Sequence, residues 1–369
     1  MQVSGKKSNG PFGIRRATED DGPAIVELRG RVTELAVPEK TSPEFWFWEN
    51  IANPYGKSIT MVAFAGEQLV SSVSLLPRRA WINGVSHPCW LTVESMTDPR
   101  FRSKGLFFFL WQAAEREVQK SHDCLLYGFP NRNAKPIFEH GFHWTGVGSP
   151  TLMIYPLRPE KVAASRLSPG LATLAGLPLL IVGKLWRIPF GQRYSGRLQA
   201  IDGFTAECSS FLERINRSRP IMLERSVDYL NWRYPGAVGR KYRILRVPGS
   251  WEAGGGYVVF RCAEHEGTRL GVIMDLQFDD RPLRSVAREL LESAIAELAD
   301  MNVDLVIGLA TPGDRIAAVF RRSGFLPVPR RFNPNSFDLM FWSHGPLEGV
   351  HLLNGLENWG ISFGDIDVF

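Results

Sequence analysis

The sequence predicts an α/β chain of the α+β type, with two units in tandem, each a mixed, mostly antiparallel twisted sheet flanked by helices. Three observations carry that prediction. Short strand-forming runs between residues 58 and 97 are separated by turn signals, the strongest being Asn83-Gly84. A strand, a helix, a second strand, a short helix and a Gly-Phe corner follow one another over residues 90–142, and the same order recurs over 268–325. At 369 residues the chain is long enough for two units, each with its own core.

MQVSGKKSNG is polar with no apolar core, so residues 1–11 read as a flexible leader and no signal peptide is expected. From Phe12 a short strand leads to Thr18, a helix N-cap followed by acidic residues, after which Ile25, Leu28, Val32 and Leu35 recur at helical spacing. The aromatic run FWFWENIANPY, Phe45 to Tyr55, reads as core or a helix end, or as the wall of a substrate pocket. An antiparallel meander with turns at Ala65–Glu67 and Asn83-Gly84 then reaches the strand Trp90–Thr97. Asp98-Pro99 ends that strand, because proline lacks the N–H a ladder needs. A basic loop, Arg102-Ser103-Lys104-Gly105, feeds the apolar helix that begins at Leu106. Asp123–Phe129 reads as a buried strand, and Pro130–Asn133 opens a short helix stopped by Gly141.

Composition shifts over residues 150–203. The run Leu171–Val182 is nearly uncharged but is interrupted by Gly176 and Pro178, and it is shorter than the ~20 residues of a membrane span. With Lys184 and Arg187 flanking Trp186, a buried linker helix, an interfacial element and a span are all open readings. The expected organisation is therefore residues 12–150, a linker over 151–203, and a second unit over 204–369.

Hydrophobic residues make up 44% and charged residues 22%, as in ordinary globular proteins. A net charge of +5 and a pI near 9.1 fit a polyanionic small molecule, and the absence of a long basic run argues against nucleic acid. Cys89, Cys124, Cys208 and Cys262 have no paired spacing, so neither a metal site nor a disulfide framework is expected, and the default location is the cytoplasm, with the inner face of a membrane left open.

The chemistry is concentrated between Trp90 and Phe107. A strand, a glycine-bearing basic turn and a helix N-terminus make a place for phosphate, since the first-turn N–H groups and the helix dipole favour an anion. Gly105 lets the backbone come close, and Arg100, Arg102 and Lys104 add charge. The loop is neither G-x-x-x-x-G-K-[ST] nor G-x-G-x-x-G. It resembles the acyl-CoA pyrophosphate loop of the GNAT superfamily of N-acyltransferases, [QR]-x-x-G-x-[GA], read here as Arg102-Ser103-Lys104-Gly105-Leu106-Phe107 with Phe107 in place of the small residue. Pro99 to Phe107 is similar to a tandem branch with polysaccharide or lipid-modification functions, as are Y-L-N-W-R-Y and the chain end W-x-x-x-x-G-D-x-D.

That resemblance implies two GNAT-like domains, with acetyl-CoA or another acyl-CoA held by the first. It implies that the strands on either side of the loop helix splay apart and that the acyl-pantetheine arm lies in the gap. Met96 and Thr97 would polarise the thioester through their backbone N–H groups, and Arg102 to Phe107 would hold the pyrophosphate. Asn131 and Asn133 would flank the cofactor or simply cap the short helix; Phe138 joins the cofactor-binding candidates. A tyrosine acid common in these enzymes has no counterpart beside Ile137 and Phe138. The second unit carries Asp280-Arg281-Pro282-Leu283-Arg284 where the first has its loop, with no glycine, and is expected to lack its own cofactor.

For catalysis, Glu94 is the candidate base, facing the splay if Val93 faces the core. An ordinary strand-edge ion pair is the alternative. His87, His122, His140 and His143 are candidate helpers, and Asp365 and Asp367 read as a solvated acidic end within reach of an amine. No H-E-x-x-H, paired cysteines or G-x-S-x-G occurs, so no metal is expected. The acceptor is expected to be a small-molecule or lipid-linked amine: an amino sugar, an amino acid or a lipid-linked precursor. Acyl carrier protein as the donor, and a non-catalytic binding or scaffold protein, remain the rival readings.

Overall fold

The computed structural model describes residues 12–32, 38–121, 123–161, 198–252, 254–279, 284–329 and 337–367. The leader, His122, the apolar run 171–182 and Asp280–Leu283 lie outside them. Among the described residues, sixteen strands form two sheets. In the first half these are β1 (Gly13–Arg16), β2 (Ile59–Ala65), β3 (Gln68–Ile82), β4 (Val85–Thr97), β5 (Cys124–Gly128), β6 (Thr145–Gly148) and β7 (Thr151–Pro156). In the second half they are β8 (Gln199–Ala200), β9 (Ile221–Leu223), β10 (Arg243–Arg246), β11 (Gly256–His265), β12 (Thr268–Phe278), β13 (Leu305–Ala310), β14 (Leu326–Pro327), β15 (Leu339–His344) and β16 (Trp359–Gly360). The helices are α1 (Gly22–Val32), α2 (Pro43–Asn50), α3 (Leu106–Val118), α4 (Ser209–Asn216), α5 (Val227–Arg233), α6 (Arg284–Asp300) and α7 (Arg315–Arg322).

The first sheet runs β1-β2-β3-β4-β5-β15-β6, with β9 joined to the far end of β3 and β16 to β9. The second runs β14-β7-β13-β12-β11-β10-β8. Both are mostly antiparallel; β4 and β5 pair in parallel across α3, β12 and β13 across α6, and in the first sheet the short β9 and β16 also run parallel. This is the mixed architecture the sequence predicts, flanked by helices as expected.

The sheets do not part at residues 150 and 204. β15, from the end of the chain, lies between β5 and β6, while β7, from the first half, lies between β13 and β14. The first half thus lends β7, and the second half lends β15 together with the short β9 and β16. Pro150 sits between β6 and β7; without an N–H it cannot carry one ladder into the next, and the chain crosses from sheet to sheet there.

Three apolar layers hold this arrangement. α3 packs Leu106, Leu110, Trp111 and Ala114 on one face of the first sheet, and α6 packs Leu290, Leu291, Ala294 and Leu298 on the second. Between the sheets lies a shared core that includes Leu91, Tyr127, Phe211, Met274, Leu309 and Phe363. At its centre the fully buried Arg225 guanidinium bonds both Asp275 (2.9 Å) and Asp365 (2.6 Å). Asp365 is only 1% exposed, so the chain end is no solvated tail: its carboxylate is consumed by a buried cation. Among the described residues no helix is long and apolar enough to cross a membrane.

Candidate active site

β4 and β5 pair in parallel only at Cys89–Leu125, Trp90–Leu126 and Leu91–Tyr127. Beyond that last rung β4 continues six residues to Thr97 while β5 stops at Gly128, and the two strands separate. The cause is local. Ser72 and Ser74 of β3 face Met96 and Val93 of β4, so two steps on one strand oppose three on the other. The extra residue makes a bulge, and Glu94 within it takes φ +51°, a left-handed conformation rare for a side chain with a Cβ.

The bulge fixes which polar groups face the opening. The Asp98 N–H donates to Val70 O across β3 at 2.9 Å, and alternation along a strand then commits Met96 to the β3 ladder as well. Ser71 Oγ confirms the direction by donating to the Met96 carbonyl at 2.8 Å. Thr97 therefore turns its N–H to the opening, and its carbonyl is approached from that side by Arg102 Nε at 3.4 Å. Of the two expected carbonyl-polarising groups, Thr97 is free and Met96 is spent, its side chain buried against α1.

At the mouth, Ser103 (φ +61°) and Gly105 (φ +74°) both adopt left-handed backbone, and Gly105 caps α3. This alternation curls the chain so that successive N–H groups converge, next to the free N–H groups of the α3 first turn. Arg102 is exposed at the rim. Arg100 is not available as expected: it grips Asp98 at 2.9 Å, and with Arg31 it holds that carboxyl well below the usual range. Lys104 leans over the rings of Phe101 and Phe12.

Phe107, which departs from the small residue of the loop pattern, turns away from the mouth. Its ring packs edge-on to Phe138 and Phe142, each at 5.9 Å. Phe138 is 3% exposed and sits among Phe107, Trp111 and Trp144, so it supports the loop helix from within the core rather than lining the opening. Asn131 accepts the N–H groups of Asn133 (3.1 Å) and Ala134 (2.9 Å), which makes it the cap of the following turn; Asn133 is exposed beside it.

Residues 13–145 match a family model described as the Acetyltransferase (GNAT) domain. The first half carries a GNAT domain. Comparison with curated proteins finds no significant match. Solved structures share the fold across both halves. A GCN5-related N-acetyltransferase from Anabaena variabilis is 12% identical with a TM-score of 0.58, over 89% of this chain and 72% of that one. A probable N-acyltransferase from Enterococcus faecalis gives 14% and 0.56 over 89% and 72%. N-myristoyltransferase of Saccharomyces cerevisiae, solved with bound myristoyl-CoA, gives 13% and 0.60 over 93% and 81%.

On the α1–α2 side of the GNAT domain's bulge, Glu94 meets two carboxylates that sequence reading did not connect with it. Glu49 from α2, Glu94 and Asp367 bring oxygens within 4.8 Å of one another. Arg29 bonds Glu94 and the Lys40 carbonyl, and Lys40 bonds Asp367. Burial, reinforced by Asp367 and Glu94, pushes the Glu49 carboxyl up to about 8. Burial would raise Asp367 too, but Lys40 and Arg240 outweigh it and hold that group down. Such spacing could ligate a divalent cation. Two carboxylates, one protonated acid and the cations Arg29 and Lys40 already balance, however, so the donor set does not call for a metal.

Asp367 is therefore built into the cluster, not a loose tail. The histidines stand elsewhere: His87 lies seven residues down β4, roughly 20 Å from Glu94 along the strand, and burial lowers its pKa. His140 and His143 are exposed. The signal that could have found Glu49 was in plain view, a carboxylate directly after the aromatic run Phe45–Trp48.

The second half repeats the opening and fills it. β12 pairs with β13 only over Leu270–Leu305 to Val272–Ile307, and its ladder with β11 slips beside Met274. Residues 359–366 occupy the gap. Thr311 donates to the Trp359 carbonyl at 2.8 Å, and a Cβ on Gly364 would lie 3.3 Å from the Met274 carbonyl.

Proposed function

We propose that this chain is an N-acyltransferase that moves an acetyl or longer acyl group from acyl-CoA to an amine at one site, the opening between β4 and β5. The observation that carries the reading is the opening itself, bounded by the β4 bulge and closed at its mouth by the left-handed Ser103–Gly105 loop. The Arg102–Phe107 backbone would take the pyrophosphate, and the pantetheine arm would lie along the unpaired edge of β4. In the transfer, the amine nitrogen forms a bond to the thioester carbonyl carbon and the C–S bond breaks, releasing CoA as a thiolate that takes a proton from solvent. The Thr97 N–H faces the oxygen on which charge develops. The proton leaving nitrogen passes to the acidic cluster, where Glu49, once ionised, is the strongest base and Glu94 fixes the geometry through Arg29. The filled second opening supports a single site per chain. The acceptor class follows the GNAT resemblance: an amino sugar, amino acid or lipid-linked amine.

Titration calorimetry with acetyl-CoA and with a long-chain acyl-CoA tests this. One site per chain is expected, lost in the Arg102→Ala, Gly105→Glu double variant, with the tighter ligand marking the acyl class. Two sites would overturn the single-site reading. No binding of either ligand would overturn acyl-CoA as donor and leave acyl carrier protein or a scaffold.

A further inference from the structure

Several buried or half-buried arginines in this protein are tied to an acceptor. Arg225 holds two aspartates, Arg219 bonds Asp314 at 2.6 Å, Arg29 bonds Glu94, and Arg233 reaches the Gly364 and Ile366 carbonyls. Arg78 is held differently. It lies on β3, is 7% exposed, and leaves Nε and Nη1 with no hydrogen-bond partner among the described residues. Its guanidinium is covered by the rings of Tyr229 (4.8 Å) and Trp232 (5.3 Å), with the buried Tyr127 beside it. The Tyr127 hydroxyl is a hydrogen-bonding neighbour of the guanidinium, but aromatic faces supply no acceptor for Nε and Nη1, and arginine stays protonated in proteins. A buried charge in that state is costly unless an anion completes it.

Its position is as telling as its chemistry. Tyr127 forms the last rung with Leu91 before β4 and β5 part. On the other side, Trp232 stacks on Trp48, the neighbour of Glu49 in the acidic cluster. Arg78 thus sits between the foot of the opening and the groups that would take the amine's proton. We infer that Arg78 is an anion subsite in the acceptor pocket, so that the amine substrate also carries a carboxylate or phosphate oxyanion. The word acceptor rests on the acyltransferase reading; the binding of the oxyanion does not.

The test is calorimetry on the full chain with matched ligands: leucine against leucinamide, and O-phosphoethanolamine against ethanolamine. The charged member of one pair is expected to bind at least about tenfold tighter than its partner, and R78M to erase that difference, as a charge-assisted hydrogen bond would dictate. The pair that responds names the source of the oxyanion. No preference in either pair, or a preference that survives R78M, would overturn the inference. Melting without ligand gives a second reading: R78M should melt at or above the wild type, because it removes an uncompensated charge. A drop of several degrees would mark Arg78 as structural and overturn it. Acyl-CoA titrated into the same protein reports separately on the acyltransferase reading, so either can fail alone.

Discussion

The Trp48 indole N–H donates to the Trp232 carbonyl at 3.1 Å, and the Trp232 indole N–H donates to the Trp48 carbonyl at the same distance. Their rings stack with centroids 4.8 Å apart, joining α2 to α5 across 184 residues of sequence. Trp48→Ala should cost about 3–5 kcal/mol in a denaturant melt. In a double-mutant cycle with Trp232→Ala the two losses should fall short of additive by at least about 0.5 kcal/mol. Strict additivity would mean the clasp is only adjacency.

Glu49 gives the pH dependence a direction. Its carboxyl titrates near 4.5 when unfolded and about 8 when folded, so the folded state holds the proton more tightly. The stability this contributes is complete below the unfolded value and is lost as pH rises through about 8. Glu49→Gln should flatten that decline. If Glu49 is the base, acyl transfer should climb through about pH 8, and the same variant should remove the inflection and lower kcat by roughly 100-fold or more. An unchanged profile would exclude it.

Arg225 neutralises two buried carboxylates at once. Arg225→Met strands both, and a loss of about 3–5 kcal/mol in equilibrium unfolding is expected. A loss under about 1 kcal/mol would show that the network relaxes without it.

Gly364 admits no side chain where it crosses the second opening, since a Cβ would meet the Tyr234 hydroxyl at 2.3 Å. Gly364→Ala should destabilise by about 1–3 kcal/mol through overpacking, measured as a shift in the denaturant midpoint. Tolerance of alanine would mean the plug is loose.

The strand order around the loop and the left-handed Gly105 turn were legible because each has a local signature: Asp98-Pro99, a basic glycine turn, an apolar helix; the splay was expected only through the GNAT resemblance. What escaped was everything set by long-range placement. Glu94 was found on its strand, but its partners come from α1, α2 and residue 367, which no local pattern joins. Arg78 hides in the long, almost wholly buried strand β3, and the lack of a partner for its Nε and Nη1 exists only in three dimensions. Asp365 and Asp367 look solvated in sequence because an acidic chain end usually is; Arg225 and Lys40 decide otherwise.

The loan of β15 to the first sheet and β7 to the second has a consequence for biosynthesis. The edge of β5 that pairs antiparallel with β15 stays bare until residues 339–344 leave the ribosome, which at about 5–20 residues per second is roughly 10–45 seconds after β5 itself. For that interval the nascent first half exposes the apolar edge strand Cys124–Gly128, the kind of edge that recruits foreign strands. Neither half is a finished product alone, so severing the gene between them should yield fragments that aggregate singly and recover structure only when made together.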